Sequence, residues 1–321
     1  MALQGEVKQY KSVCYAESTK ATYRSCLHAY LRFCLYFGLQ PVPATKETLL
    51  AYLAFLARSL KPSSIPTYLN VIRLMHLEVG LPNPLDDWEV SIVKKGILRT
   101  HGQPPKQKLP ITPVVLKAMY NQLNLLDSLD RAFWCACLVG FYGYLRKSTL
   151  LPKTATQSTK HHLCCGDISW TDEKCFNVTV RHSKTIQFGQ RELTIPMSGD
   201  GTSHLCPVKA LMHMFDGLPP EPDRALFSYK DNNGVVKALD YGMFVKCLKL
   251  TLLKANYNPK DYSGHSLRRG GASFSFSIGL SPLIIKLRGD WKSNAYQKYI
   301  FVTDDYNQKA AKALSLAALS Q

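Results

Sequence analysis

The chain has 321 residues and carries 40 Lys and Arg against 23 Asp and Glu, for a formal net charge of +17. Its length favours two domains, and 46% apolar residues are enough to bury a core in each. A basic excess of this size favours a nucleic-acid partner, the alternative being a surface charge that only serves solubility. Since no apolar run approaches a bilayer span and the N-terminus lacks a signal-peptide core, we expect no membrane segment.

The ten cysteines are scattered without paired spacing, which favours a reducing, intracellular setting. One short segment contains four residues of metal-ligating types, His161, His162, Cys164 and Cys165. Adjacent ligands fit poorly around a single tetrahedral zinc ion, and no second pair of ligands lies nearby in the sequence. We therefore expect no metal site there.

The first hundred residues have the apolar periodicity of α-helices. Helix starts are predicted at residues that can cap a helix, and helix ends at glycines and prolines. The predicted helices start at Ser18–Thr19, about Thr45, Ser63–Ser64 and near Trp88, and the last one extends to about Leu98. These apolar stripes predict a small helical bundle and carry no functional information by themselves.

Residues 100–110 are polar, contain three prolines and lack periodicity, which predicts a linker. We place the domain boundary there, so that a helical domain spans 1–106 and a second domain spans 107–321. The first domain carries 13 basic and 7 acidic side chains and the second 27 and 16, a net charge of +6 and +11. Both domains are basic, so both can face the same polyanion.

The second domain is predicted to be mixed. Helices are expected at Val114–Leu125, at Asp130–Tyr142, from Pro207, from Tyr241 and, at the end of the chain, at Asn307–Leu319. Alternating apolar residues predict two strands, Cys175–His182 and Arg191–Pro196, which form a hairpin with Lys184 at its turn. The predicted fold is therefore mainly α with a small antiparallel β-sheet.

Four segments of the second domain contain residues suited to phosphate chemistry. They are Tyr144-Leu-Arg146-Lys-Ser-Thr-Leu, Ser183-Lys184-Thr, Gly264-His265-Ser-Leu-Arg268-Arg-Gly-Gly-Ala and Gly289-Asp-Trp291-Lys-Ser-Asn-Ala-Tyr296-Gln-Lys-Tyr299. A His-x-x-Arg pair arises often by chance, and any single Arg, Lys or Trp has an ordinary structural explanation. His265, however, begins a predicted helix, where residues three apart share a face. The ordered co-occurrence of all four segments is what indicates a function.

This ordered set resembles the tyrosine recombinase (phage integrase) family. The interval of 26 residues from His265 to Trp291 and the Leu-Arg-x-Ser frame around Arg146 are similar to that family's pattern. The amino-acid sequences of these segments most resemble those of the recombinases of eukaryotic Crypton and DIRS-like mobile elements. The resemblance covers nearly the whole chain. It implies a helical, SAM-like core-binding domain at 1–106, a mixed α+β catalytic domain at 107–321 and residence in the nucleus.

The resemblance also implies how the charged residues act. Arg146 and Arg268 would clamp the non-bridging oxygens of a DNA phosphate, because a guanidinium keeps its charge and offers a planar fork of donors. His265 and Trp291 would each add a hydrogen bond, the latter through its indole N–H. Positive charge supplied in this way removes the need for a metal ion.

The remaining two residues would carry out the bond exchange. Tyr299 would attack the phosphorus, and Lys184 would act as the general acid that protonates the departing 5′ oxygen. The product would be a 3′-phosphotyrosine link that conserves the bond energy, so no ATP or other cofactor is required. The implied partners are double-stranded DNA and further copies of the chain, as a tetramer on paired sites.

Two positions depart from the family's pattern. Thr149 stands three residues after Arg146, where many relatives carry an acid that braces the site. The nucleophile usually follows the His-or-Trp position by nine residues, which here is Ile300, whereas Tyr299 follows Trp291 by eight and Tyr296 by five. A turn shortened by one residue restores Tyr299, which we prefer, and Tyr296 stays open as the alternative.

Two other functions compete with recombination. A type IB topoisomerase uses the same chemistry, but the separate helical domain and the mobile-element wording favour a recombinase. The second alternative is a domesticated DNA-binding protein that has lost catalysis. Because a suitable residue stands at every position where the resemblance requires a catalytic residue, the sequence argues against it.

Overall fold

The computed structural model describes residues 2–104, 106–154, 161–302 and 304–319. The chain divides into two compact units, Met1–Lys106 and Gln107–Gln321. Pro105, within the predicted linker, lies outside the described residues. Residues 102–104 and 106–112 have no helix or strand. The two units are described separately below.

The first unit is helical. Its described residues form five α-helices, α1 (Ala2–Val13), α2 (Glu17–Phe37), α3 (Lys46–Ala57), α4 (Ile65–Glu78) and α5 (Trp88–His101). Thr45 caps α3 by accepting a hydrogen bond from the Thr48 amide, as its position predicts. Gly38 ends α2 in a left-handed conformation (φ +64°) that a residue without Cβ adopts at little cost. The end of α2 and the start of α3 therefore follow their local signals, whereas Ser64 precedes α4 without a side-chain cap.

Two details of the first unit differ from the sequence-based prediction. The residue before α2 is Ala16, which offers no side-chain cap, so the predicted start at Ser18–Thr19 is wrong by about one residue. The α1 helix was not predicted, and its apolar side chains Leu3, Val7 and Tyr10 are exposed. These three residues are spaced by four and three positions, as on one face of a helix, but the core of the unit does not cover this face. The core of the unit packs around Tyr30, Phe33 and Tyr52.

The second unit contains eight helices in its described part. They are α6 (Pro113–Tyr120), α7 (Ser128–Tyr142), α8 (Lys147–Leu150), α9 (Pro207–Gly217), α10 (Tyr241–Lys254), α11 (His265–Ser277), α12 (Pro282–Arg288) and α13 (Asp304–Leu319). The α6 helix ends at Tyr120 rather than at the predicted Leu125, because turns at 121–127 lead to Asp127, which caps α7. The buried α7 forms the centre of the core: each residue from Ala132 to Phe141 is buried.

Five short strands complete the described part of this unit. β1 (Ile168–Asp172), β2 (Cys175–Val180) and β3 (Leu193–Ser198) form an antiparallel sheet in that order, and β4 (Ser228–Lys230) pairs with β5 (Val236–Ala238). The predicted alternation in β2 is confirmed, since its burial alternates along the strand and Val178 pairs with Ile195 of β3. β1, β4 and β5 were not predicted: β1 has an exposed face, and β4 and β5 have three residues each, too few for a periodic signal.

The α11 helix is held close to two other segments by its paired glycines. A Cβ added at Gly270 would lie 1.9 Å from the carbonyl oxygen of Ile111, and one added at Gly271 would lie 2.0 Å from that of Phe141. The Ile111 amide also donates to the Ser266 carbonyl at 3.0 Å. The Gly-Gly pair thus allows α11 to pack directly on the end of α7, and this contact brings the His265 and Arg146 segments together.

The described residues contain no helix that is both long and apolar enough to cross a membrane. None of the ten cysteines, all within the described ranges, forms a disulfide bond.

Candidate active site

Arg268 is the centre of the site. It lies on α11 and is only 2% exposed. Its Nη1 donates to the Tyr144 carbonyl, and its Nη2 donates to the Gly289 carbonyl at 2.7 Å. Burial, and after it the charge of Arg146, lowers its pKa, while the Tyr299 phenol acts in the opposite direction. Two backbone segments are thereby joined through one guanidinium.

Trp291 covers this guanidinium. The Arg268 Cζ lies 4.0 Å from the Trp291 ring centroid, a cation–π distance. Trp291 is 6% exposed and belongs to a small cluster with Tyr144, Ala272 and Ile285. Gly289 makes room for the indole, since a Cβ there would lie 1.7 Å from a ring atom.

Arg146 is positioned by an unusual backbone turn. Tyr144, two residues earlier, has φ +47°, a left-handed conformation that is uncommon for a residue with a side chain. It is stabilised at both ends, because its carbonyl accepts from Arg268 and its hydroxyl hydrogen-bonds Ser275. Arg146 then precedes α8, half-buried, and lines a cleft with Arg268 and Thr149. The two arginines predicted from the sequence therefore share one cleft.

His265 is the first residue of α11, as predicted, and its side chain is exposed at the edge of the site. Partial desolvation lowers its pKa, and the cations Lys147, Arg268 and Arg146 add to the effect. The imidazole is thus neutral near pH 7 and has one donor and one acceptor nitrogen. Lys147 was not among the predicted residues; its Nζ lies 4.0 Å from the Tyr241 ring centroid.

Lys184 lies at the tip of a tight turn between β2 and β3. Ser183 and Ile186 exchange backbone hydrogen bonds of 3.0 and 3.2 Å across this turn. The Lys184 side chain is exposed. Among the described residues, its ammonium forms no hydrogen bond or ion pair with the other five predicted site residues. The structure brings the turn to the site through Thr185, whose hydroxyl donates to Asp290.

The two candidate tyrosines flank Trp291. Tyr296 lies in a 3-10 helix, Asn294–Lys298, and Tyr299 is the C-cap residue that directly follows it. Their ring centroids lie 6.4 and 5.2 Å from that of Trp291. The Tyr299 ring centroid also lies 5.1 Å from the Arg268 guanidinium carbon, and the Tyr299 carbonyl accepts a hydrogen bond from the Ser273 hydroxyl at 3.1 Å. The arginine is therefore adjacent to Tyr299.

Asp290 is the residue of the site that sequence reasoning missed. Its carboxylate lines the cleft that contains both arginines and accepts hydrogen bonds from Thr185 and Arg191. Burial acts to raise its pKa, but these hydrogen bonds and the charges of Arg191 and Arg146 outweigh it, and the pKa is lowered. Thr149, where an acid was expected, is buried beside Arg146. The one sequence feature that could have pointed to Asp290 is its position directly before Trp291.

Two donors of the site lack partners within the described residues. The Arg268 Nε and the Trp291 Nε1 are buried and form no hydrogen bond there. An unpartnered buried donor costs about 1–3 kcal/mol, and these two lie on stacked groups beside Tyr299. With Arg146 and His265 at the edge, the arrangement presents N–H donors and positive charge to an anion. In the described part of the chain, no group of three His, Cys, Asp or Glu side chains is arranged to hold a metal ion.

Comparison with known proteins gives a consistent set of relatives. No protein-family model matches the sequence. The integrase/recombinase xerD homolog of Selenomonas ruminantium is 25% identical over 289 residues, which cover 87% of this chain and 79% of that protein. The recombinase Cre of Escherichia phage P1 is 25% identical over 316 residues, which cover 89% and 84%.

Solved structures share the fold at lower identity. The Tn1549 transposon integrase, in complex with transposon right end DNA, has a TM-score of 0.61 and 15% identity, with 96% of this chain and 98% of that chain covered. A lambda integrase dimer bound to a COC′ core site has a TM-score of 0.58 and 14% identity, with 92% and 93% covered. Over most of its length the chain is thus similar in sequence to recombinases, and it shares its fold with solved integrase structures.

Proposed function

We propose that the protein is a site-specific DNA recombinase that cuts and rejoins DNA through a 3′-phosphotyrosine intermediate on Tyr299. One observation carries the proposal: the buried, unpartnered N–H groups of Arg268 and Trp291 lie beside Tyr299, in the site that Arg146 enters. Buried donors of this kind suit a phosphate oxygen, whose charge grows as the phosphorus is attacked.

The two arginines stabilise the transferring phosphate. Two of the five N–H groups of Arg268 donate to the Tyr144 and Gly289 carbonyls, and its Nε–H, which has no partner in the described residues, is available for a phosphate oxygen. Arg146, which lines the same cleft, binds a further oxygen, and Trp291 donates through its indole nitrogen. Neutral His265 donates from the helix start. Because the protein supplies these donors and charges, the reaction is proposed to require no metal or other cofactor.

The exchange of bonds is balanced within the site. The Tyr299 oxygen forms a bond to phosphorus while the bond from phosphorus to the 5′ oxygen breaks. Lys184 donates a proton to that oxygen, giving a free 5′ hydroxyl. A phenol is a weak nucleophile at neutral pH, so Tyr299 gives up its proton to water as it attacks, with the Arg268 guanidinium beside its ring. Attack by a 5′ hydroxyl from a second duplex reverses the steps and releases Tyr299.

The two units are proposed to bind one duplex together. The helical unit, with a net charge of +6, serves as the core-binding domain, and the second unit, with +11, serves as the catalytic domain. The lambda integrase and Tn1549 integrase structures contain DNA, which supports double-stranded DNA as the partner of this chain.

Assembly is proposed to proceed through the last helix. α13 has exposed side chains along most of its described surface, and Leu316 is 68% exposed. The side chains of Leu314 and Ala317, part of the expected apolar stripe, lie outside the described part of the structure. We propose that α13 docks onto a neighbouring copy, so that a monomer forms a tetramer on paired sites. An alternative is that the helix folds back on its own subunit.

The origin of the chain is a further part of the proposal. The wording of the Arg146 and His265 segments supports an affinity with Crypton and DIRS-like recombinases of eukaryotic mobile elements, and hence residence in the nucleus. A topoisomerase or a non-catalytic DNA-binding protein is less well supported, because the relatives named above are recombinases and integrases and all six catalytic candidates are present.

The experiment that tests the proposal is covalent trapping. The purified protein is incubated with nicked duplexes from its native locus, from which the strand downstream of the cut diffuses away. We expect a complex that resists denaturant and carries the 3′ end, and peptide mapping should locate the DNA on Tyr299. DNA binding without any adduct would reject the recombinase and favour the non-catalytic alternative. Relaxation of supercoiled DNA without a specific site would instead favour a topoisomerase.

A further inference from the structure

Asp290 connects two parts of the site that are far apart in sequence. Its Oδ2 accepts from the Thr185 hydroxyl, and its Oδ1 accepts from the Arg191 Nη2 at 2.5 Å. Thr185 is next to Lys184 in the β2–β3 turn, and Arg191 lies two residues before β3. One carboxylate therefore holds both ends of the segment that follows Lys184.

Apart from Ile186, which is buried in the core, this segment has few other anchors. Residues 187–190 are exposed, and Phe188 is 84% exposed. The Asp290 side chain is 14% exposed, so its two hydrogen bonds are partly shielded from water and are stronger than those of a surface ion pair. Ile186 anchors the Lys184 turn in the core, and Asp290 fixes Thr185 beside Lys184 and Arg191 at the far end of the exposed segment.

The backbone of Asp290 is part of the same arrangement. Its φ is +52°, which for a residue with a side chain costs on the order of 1 kcal/mol and is retained only where surrounding contacts fix it. On one side of it, the Gly289 carbonyl accepts from Arg268. On the other side, Trp291 stacks on the same guanidinium. Gly289, Asp290 and Trp291 therefore connect the Lys184 turn to the Arg268 guanidinium.

We propose that Asp290 is a positioning residue that holds the β2–β3 turn against the phosphate-binding residues Arg268 and Trp291, so that Lys184 reaches the leaving 5′ oxygen. The two hydrogen bonds of Asp290 to Thr185 and Arg191 are called the latch below. This inference rests on the proposed function, since it assigns Asp290 a role in the general-acid step of that reaction. Asp290 does not contact the DNA in this scheme; it acts through Thr185 and Arg191. It also supplies negative charge near Arg146, at a site where Thr149 carries none.

The test separates positioning of the acid from general support of the site. Asp290→Gly removes the carboxylate, and glycine tolerates the left-handed backbone; Asp290→Asn keeps the shape and one acceptor oxygen. Both variants lose a negative charge, which alone strengthens DNA binding. Asp172→Gly is the matched control, because it loses the same charge at the end of β1, in the other hairpin of the sheet. Thr185→Val removes one latch contact at nearly constant volume.

Cleavage rates are measured on two nicked substrates, one with the normal 5′ oxygen and one with a 5′-bridging sulfur, which leaves without a proton. We expect Asp290→Gly to slow cleavage of the oxygen substrate by about 10²-fold, the cost of a misplaced catalytic group, and to cleave the sulfur substrate at nearly the wild-type rate. Asp290→Asn and Thr185→Val should be intermediate, and Asp172→Gly should match the wild type. Combining Asp290→Gly with Lys184→Ala should add little to Lys184→Ala alone, because both disable one step.

Each other outcome is decisive. Equal slowing of both substrates by Asp290→Gly would mean that Asp290 supports the arginine clamp rather than Lys184, and would overturn the inference. Wild-type rates on both substrates would mean that the latch is dispensable. In these two cases wild-type protein still forms the tyrosine adduct, so the proposed function stands. If wild-type protein forms no adduct on either substrate, the proposed function fails and the inference fails with it.

Discussion

The guanidinium carbon of Arg268 lies 4.0 Å from the centroid of the Trp291 ring, while its Nη2 donates to the carbonyl of Gly289, two residues before that ring. The same turn therefore holds the arginine by its edge and by its face. This double contact orients a buried cation without neutralising it, since neither partner carries a negative charge. A phosphate beside it would meet a cation that these two partners do not neutralise.

The first prediction concerns the nucleophile. Tyr299→Phe removes only the hydroxyl and keeps the ring that packs on Trp291, so the variant should fold and bind DNA with near-native affinity. It should form no covalent adduct on a nicked substrate. Tyr296→Phe is the matched control and should retain adduct formation, because its ring also packs on Trp291. An adduct mapped to Tyr296 would reassign the nucleophile and leave the class of enzyme unchanged.

The second prediction concerns the general acid. Lys184→Ala should leave DNA affinity nearly intact, because an exposed turn provides one contact among many. Cleavage should slow by about 10²–10⁴-fold, the usual contribution of positioned proton transfer. A 5′-bridging sulfur substrate should restore the rate. If it does not, Lys184 contacts a phosphate rather than delivering a proton.

The third prediction concerns salt. If both basic units bind one duplex, the observed association constant should fall steeply with salt, with a log–log slope of about −0.9 for each phosphate neutralised. Fluorescence anisotropy between 50 and 200 mM salt, about the range over which such losses are large, measures the slope. The isolated fragment 107–321, if it folds, should show a smaller slope than the full chain. A slope near zero for the full chain would argue against the proposed DNA contact.

The fourth prediction concerns assembly. Removal of Asn307–Gln321 leaves Tyr306, whose ring packs on Phe276, and deletes most of the exposed α13 helix. Binding to a single DNA site should be preserved, whereas synapsis of paired sites should be strongly reduced. Native gels with one-site and two-site duplexes measure both. Recombination at the wild-type rate would show that α13 is not required between subunits.

The fifth prediction concerns acid stability. His162 is buried with its Nδ1 unpartnered in the described residues, and desolvation, then the nearby His161, lowers its pKa. The unfolded chain, with a His pKa of about 6.5, binds the proton more tightly, so stability falls as pH drops below about 6.5 towards the folded pKa. His162→Gln should therefore reduce the difference in Tm between pH 7.5 and 5.5 by roughly 2–4 °C, the effect of about 1 kcal/mol in a domain of this size. An unchanged difference would assign the acid sensitivity to other groups.

Part of the site followed from the sequence because its signals are local. The start of α11 at His265 places that residue and Arg268 three apart on one helix, which needs no tertiary information. The alternation in β2 located the turn that carries Lys184. In contrast, β1, β4 and β5 have short or exposed faces and no periodic signal, and α1 has a stripe that no core of its own unit covers.

By itself, the sequence determined the identity and order of the candidate residues, the helical character of the first unit and the mixed character of the second. Only the tertiary structure decided which groups meet. The left-handed turn at Tyr144, the glycine pair that lets α11 approach α7 and the carboxylate of Asp290 across the β2–β3 turn all depend on contacts between distant segments. Local propensity cannot encode such contacts, because the partners are far apart in the sequence. Thr185, which bonds Asp290, and Tyr144, which bonds Arg268, for example, are each more than about a hundred residues away from that partner.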